Sequence, residues 1–136
     1  MALAGKRIGI TGGAGFIGSH LVERLLADNE VVVYDNLHRN ALQFAPVERH
    51  PHFRFLQGDV MDLAATTRAL AGCQIVIHCA AIAGVYSVIK NNVRTMEVNL
   101  LGTNTVIQAA LKVGVERFVD FSTSEVYGAL VHNAKE

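Results

Sequence analysis

No charge of either sign dominates this sequence of 136 residues, in which twelve lysines and arginines balance twelve aspartates and glutamates. With no bulk field to draw it toward a polyanion, the chain reads neither as a nucleic-acid binder nor as a protein held on an anionic membrane. Cysteine is scarce. Cys73 and Cys79 are the only two, without metal-ligand spacing, so no metal site is expected and reduced thiols in a cytoplasmic protein are the favoured reading. Proline is confined to Pro46 and Pro51, which punctuate one loop. No apolar run is long enough to span a bilayer, and the N-terminus enters a strand without the apolar core of a secretion signal. Internal repeats, low-complexity tracts and linkers are also missing. What is present is apolar and rich in glycine: 51% of the residues are hydrophobic and twelve are glycine. That suits a single α/β domain whose strands are buried on both faces.

The chain is organised around Thr11-Gly12-Gly13-Ala14-Gly15-Phe16-Ile17-Gly18-Ser19-His20. A short apolar strand, Arg7 to Ile10, precedes it, and a helical pattern running to about Asp28 follows. Gly12 is expected to turn the backbone sharply, Gly15 to remove a Cβ that would block a pyrophosphate, and Gly18 to let the helix lie close on the sheet. The helix would aim its free N–H groups and positive dipole end at that diphosphate. Phe16, Ile17, Leu21, Val22, Leu25 and Leu26 recur at helical spacing as its apolar side. The next apolar run, Val31 to Tyr34, reads as a central parallel strand ending at Asp35. A carboxylate there can accept both hydroxyls of an adenosine ribose and repel a 2′-phosphate, which implies NAD rather than NADP. Arg39, in the loop beyond, reads as a solvated arginine.

Further on, Phe53 to Gln57 alternates and reads as a third strand nearer the sheet edge, with His50 and His52 as surface residues before it. Asp59 is expected to accept an adenine amino group or to cap a helix starting near Leu63. Gln74 to Cys79 reads as a fourth strand ended by the small pair Ala80-Ala81, where a cofactor approaches closely. His78 within it reads as a satisfied core histidine. Ile89 to Val113 has a helical pattern with more apolar surface than one sheet face needs, so part of it is expected to meet another subunit. Asn99 lies in that helix with its side chain able to reach toward the cofactor, and Gly114 stops it. Glu116 to Phe121 is the fifth strand, running into Ser122-Thr123-Ser124-Glu125-Val126-Tyr127-Gly128. Five strands alternating with helices imply a doubly wound parallel (Rossmann) sheet in the order 3-2-1-4-5.

Taken together, the TGGAGFIGSH turn, Asp35-Asn36-Leu37, Gly58-Asp59-Val60, His78-Cys79-Ala80-Ala81, Asn99 and STSEVYG resemble an extended short-chain dehydrogenase/reductase. Within that family they resemble the nucleotide-sugar epimerases, dehydratases and decarboxylases, over essentially the whole chain. The resemblance implies that Gly12, Gly15, Phe16, Ile17 and Gly18 hold the NAD pyrophosphate. Asp35 and Asn36 would lie at the adenosine ribose, Asp59 and Val60 at adenine, and Ala80, Ala81 and Asn99 toward the nicotinamide half, with Ser122 also at the cofactor. Thr123 matches the catalytic Ser/Thr, while Ser124 and Glu125 match a pair that varies with reaction type. Dehydratases of the family usually carry Asp-Glu there. Ser-Glu looks more like UDP-glucuronate decarboxylases and some 4-epimerases, enzymes that work on UDP- or dTDP-linked sugars through a transient 4-keto sugar.

The family's Tyr-x-x-x-Lys pair belongs on a helix beyond the fifth strand, which this chain does not reach. Tyr86 and Lys90 have the spacing but fall in the wrong loop, and Tyr127 has Val131 four residues on. The expectation is therefore an incomplete NAD-binding domain over residues 1–136, without the catalytic tyrosine helix or the sugar-binding domain, inactive alone and part of a homodimeric enzyme. A non-catalytic NAD-binding sensor and a 4,6-dehydratase are the competing readings.

Overall fold

A computed structural model describes residues 3–47 and 49–128. Its five strands are β1 (Arg7–Thr11), β2 (Glu30–Asp35), β3 (Phe53–Gln57), β4 (Ile75–His78) and β5 (Arg117–Asp120). They form one sheet in the order β3-β2-β1-β4-β5, parallel throughout. This is the doubly wound arrangement expected from the sequence. Because successive strand residues point to opposite faces, Ile8, Ile10, Val31, Val33, Ile75 and Ile77 face one way. There they meet Val22 of helix α1 (Phe16–Leu25), Leu26 just beyond its end, and the segment after β2. Val32, Tyr34 and Val76 face the other way, against α2 (Leu63–Ala69) and the later helix that carries Val106, Ala109 and Ala110. Right-handed crossovers force this division, since the chain winds outward on one side of β1 and returns to the other.

Three expectations are corrected here. Helix α1 stops at Leu25 rather than near Asp28, and Phe16 and Ile17 are 75% and 49% exposed instead of lying on its buried side. They occupy the first turn, where the apolar spacing does not bring them against the sheet. The helix expected from Ile89 to Val113 is broken and starts earlier: α3 (Val85–Lys90), α4 (Asn92–Met96), a π-helical stretch (Glu97–Gly102) and α5 (Thr103–Val113). Asn91 leaves helical geometry at φ −138, ψ 52, as befits a residue whose side chain competes with helical backbone bonding. Helix α2 is capped by Asp62, whose Oδ1 accepts from Ala65 N–H at 2.9 Å, so capping is not the role of Asp59.

Helix α5 ends as expected at Gly114, which adopts φ +72. The Gly114 N–H reaches Ala110 O and Leu111 O, and the Val115 N–H reaches Ala110 O, satisfying carbonyls that the helix end leaves open. A Cβ at Gly114 would touch nothing within 4 Å. Gly114→Ala is therefore expected to cost about 1 kcal/mol, entirely from the left-handed backbone. Urea denaturation checks this, with ligand binding unaltered because the position lies at the opposite end of the sheet from the candidate site.

Candidate functional site

All five strands point the same way, so Thr11, Asp35, Gln57, His78 and Asp120 end along one edge. The strand order reverses direction between β1 and β4, and a crevice at such a reversal is where doubly wound sheets take ligands. The glycine turn sits there. Gly12 has φ +71, its N–H donates to Tyr34 O at 3.0 Å, and a Cβ on it would fall 2.5 Å from Ala80 N. Gly15, extended at φ −73 and ψ 176, precedes the helix without any side-chain cap. A Cβ there would meet only Gly12 O, at 3.2 Å. The first-turn N–H groups of a helix have no partner within it. This uncapped, glycine-lined helix start thus fits a diphosphate.

Gly18 acts differently from the expectation: a Cβ on it would strike Gly12 O and Gly13 Cα, so the helix packs on its own turn there. Close approach to the sheet is made instead by Gly13, where a Cβ would lie 2.8 Å from both Val33 methyl groups. The doubled glycine was the available signal for this position, which pattern reading alone left unassigned.

Asp35 is 8% exposed and lies against the turn. Its Oδ2 accepts from Ala14 N–H at 3.0 Å and its Oδ1 from Leu37 N–H at 2.7 Å. Burial pushes the Asp35 carboxyl above the ordinary carboxylate value, and the backbone N–H groups of Leu37, Ala14 and Asn36 pull it back in part. Each oxygen keeps a further lone pair for a hydroxyl donor. Leu37 is held at φ +61, the one non-glycine residue with positive φ among the described residues. Such a backbone costs on the order of 1–2 kcal/mol and persists where surrounding bonds enforce it, as at ligand sites.

Asn36 is exposed, its Oδ1 accepting from His38 N–H at 3.0 Å. Asp59 accepts from Met61 N–H through Oδ1 at 2.9 Å and pairs through Oδ2 with Arg94 at 3.0 Å. Arg94, on α4, was not singled out from sequence, since its partner lies 35 residues away. Val60 is buried in the second core. Arg39 donates to Ala83 O at 3.3 Å, bringing the loop after β2 to the loop after β4.

On the β4 side, Ala80 is half-buried and Ala81 exposed. Both polar ends of the Asn99 side chain are committed to one residue of that loop: Oδ1 accepts from Ile82 N–H at 2.8 Å, and Nδ2 donates to Ile82 O at 3.0 Å. His78 is buried between Thr11 Oγ1 at 2.6 Å and Thr103 Oγ1 at 3.0 Å, the satisfied histidine expected. Burial lowers its pKa, and Asp120 opposes that in part. Cys79 is pushed up to about 11 by burial and by Asp120, which makes it a poor nucleophile.

Ser122 and Thr123 are exposed past β5, and Thr123 O accepts from Val126 N–H at 3.3 Å in the short turn Ser124–Tyr127. The side chains of Ser124 and Glu125 lie outside the described residues, as does Val131. Tyr86 is 90% exposed on α3, one turn from Lys90. β2, which ends at Asp35, and β5, beyond which Thr123 lies, are three strand spacings apart, roughly 14 Å, so the candidate site runs along the strand ends with a carboxylate toward one side and a hydroxyl residue toward the other. Among the described residues no cluster of three or more His, Cys, Asp or Glu could hold a metal ion, and no helix is long and apolar enough to cross a membrane.

Fold and strand-end site together fit a dinucleotide-binding domain of the doubly wound class. The family model for the NAD dependent epimerase/dehydratase family matches residues 8–136, and the chain belongs to that family. It is 36% identical to a UDP-N-acetyl-alpha-D-glucosaminuronate decarboxylase of Bacillus cytotoxicus, over 90% of this chain and 38% of that protein. The dTDP-glucose 4,6-dehydratase DesIV of Streptomyces venezuelae, solved with NAD bound, superposes with a TM-score of 0.87 at 40% identity, covering 95% of this chain and 43% of that one. A UDP-N-acetylglucosamine 4-epimerase of Methanobrevibacter ruminantium superposes at 0.84 with 30% identity, covering 92% and 40%. The chain thus spans about two fifths of the length of the relatives it matches.

Proposed function

We propose that this chain is the NAD-binding part of a longer nucleotide-sugar 4-epimerase or decarboxylase, of the UDP-glucuronate or UDP-hexose type, acting through a transient 4-keto sugar. The observation that carries the NAD-binding part of the reading is the 3.0 Å hydrogen bond from Ala14 N–H to Asp35 Oδ2, which sets a buried carboxylate against an uncapped helix start. In this reading Gly12, Gly15, Phe16, Ile17 and Gly18 hold the diphosphate through the turn and the first helical amides. Asp35 accepts from the ribose hydroxyls with Asn36 beside it, and Asp59 and Val60 lie at adenine. Ala80, Ala81 and Ser122 leave room at the nicotinamide half, while Asn99 acts there through the Ile82 backbone. Bound NAD supplies a reversible two-electron acceptor for the sugar carbon that carries the reacting hydroxyl. Thr123 donates a hydrogen bond to that oxygen, orienting it and stabilising charge as it develops.

Ser124-Glu125, in place of the Asp-Glu usual in dehydratases of the family, supports epimerisation or decarboxylation. Dehydratases among the relatives keep 4,6-dehydration as the second reading. The catalytic tyrosine and lysine and the sugar-binding domain belong to the remainder of the protein. We carry forward a homodimer as well, on the strength of Val93, Met96, Leu100 and Leu101, all more than half exposed beside one another on α4 and the π-helical stretch. Free Cys73 and Cys79 suit a reducing, cytoplasmic setting.

Incubating the whole protein with UDP-glucuronate, UDP-glucose and dTDP-glucose tests the reading. Loss of carbon dioxide from the first or C4 inversion of the second is the expected result. A 4-keto-6-deoxy sugar formed from dTDP-glucose would replace the preferred reading with the dehydratase, and three unchanged sugars would leave an NAD-binding sensor.

A further inference from the structure

His78 belongs to a hydrogen-bond chain that runs from Thr11, its registered neighbour on β1, through β4 to Thr103 at the start of α5. Thr103 Oγ1 donates to Asn99 O at 2.7 Å, and a hydroxyl has only one proton. The 3.0 Å contact between that same oxygen and His78 Nε2 must therefore be donated by the imidazole. His78 thus carries its proton on Nε2, and Nδ1 is the acceptor for the Thr11 hydroxyl at 2.6 Å. Thr11 is fully buried. A second proton on the ring would force Nδ1 to donate and strand the Thr11 proton without an acceptor, in keeping with the lowered pKa.

The two ends of this chain differ in what they hold. Thr11 is the last residue of β1, and its successor Gly12 opens the diphosphate turn. At the other end Asn99, in the π-helical stretch, holds Ile82 by both its N–H and its carbonyl. A π-helical turn is an uncommon local slip of register, often found at functional positions, and here it delivers Asn99 to the loop of residues 79–84. Turn and loop also touch directly, Gly12 lying against the backbone of Ala80.

We propose that His78 is a positioning residue: fixed as the Nε2–H tautomer between Thr11 and Thr103, it ties the diphosphate turn to the Asn99-held loop beside the nicotinamide half of the site. The consequence for ligand binding rests on the NAD reading above, whereas the tie itself does not. Breaking it frees the loop while leaving the turn, so a ligand with a nicotinamide half suffers and one without it does not.

The test uses Thr103→Val, which is nearly isosteric and removes the hydroxyl, with Thr103→Ser as the rescue and His78→Phe as a second break. In the ligand-free chain, imidazole 15N shifts are expected to show Nε2 protonated and Nδ1 bare. Hydrogen exchange of the Ile82 amide is expected to rise about tenfold in Thr103→Val and His78→Phe, and to stay within about twofold in Thr103→Ser. By calorimetry, the NAD+ dissociation constant is expected to rise about tenfold in both broken variants while that for ADP moves less than about twofold. The opposite tautomer, unchanged exchange at Ile82, or equal weakening of NAD+ and ADP would each overturn the proposal. Failure of the unaltered chain to bind either ligand would instead overturn the NAD reading, with the exchange result still deciding the tie.

Discussion

Gly12→Ala is expected to remove about 2–5 kcal/mol of folding stability, a large share of what a domain of this size possesses. Two independent costs add. At φ +71 any L side chain is strained, and the new Cβ would lie 2.5 Å from Ala80 N, 2.6 Å from Ala80 Cα and 2.7 Å from Cys79 C. Those atoms are backbone at the end of β4, which cannot swing aside as a side chain would. Gly15→Ala separates the ligand role from the structural one. Its φ of −73 suits alanine, and the new methyl would meet only Gly12 O, at 3.2 Å. Stability should barely change, while NAD+ affinity falls about tenfold as the methyl fills the space over the helix start. Urea denaturation and calorimetry on the two variants should thus give opposite patterns. Equal loss of stability in both would mean that Gly15 is there for packing.

Asp35→Asn is expected to weaken NAD+ binding by about 10- to 100-fold, the worth of a hydrogen bond or two from hydroxyls to a charged acceptor. Its effect on the free protein depends on pH. Burial raises the folded-state pKa of Asp35 above the ordinary 3.8. The folded state therefore holds that proton to higher pH than the unfolded chain does, and stability attributable to this group falls as pH rises from 3.8 through the raised value. Above that window the ionised, buried carboxylate is a cost to the fold. Asp35→Asn should abolish this part of the pH slope, and denaturation measured across acid pH reads it directly. NAD+ affinity of the unaltered chain should fall as pH drops through the same window, since a protonated carboxyl accepts from two hydroxyls less well.

The sheet and the glycine turn were legible because both write themselves in short-range pattern. Val31-Val32-Val33-Tyr34 reads as a strand buried on both faces, and Asp35 at its end marks the edge where the chain leaves the core. Other features depend on contacts remote in sequence. The break at Asn91 and the π-helical stretch interrupt an apolar pattern that a 3.6-residue period passes over smoothly, yet that slip is what sends Asn99 to Ile82. Leu37 at φ +61 is a residue type that gives no sign of left-handed backbone, and the bond from its N–H to Asp35 enforces it. The Arg94–Asp59 pair joins α4 to the loop after β3, and neither residue announces the other. Phe16 and Ile17 satisfied the helical period, yet in the first turn of α1 they are exposed, so apolar spacing there did not mean burial.

A 1H–15N titration of the chain with NAD+ tests most directly whether the glycine turn and Asp35 grip one ligand. The expected result is weak, saturable binding, with the largest shifts at the Phe16, Ile17 and Leu37 amides and little response to NADP+, whose 2′-phosphate meets the Asp35 charge. Shifts confined to other parts of the surface, or an equal response to both dinucleotides, would contradict it.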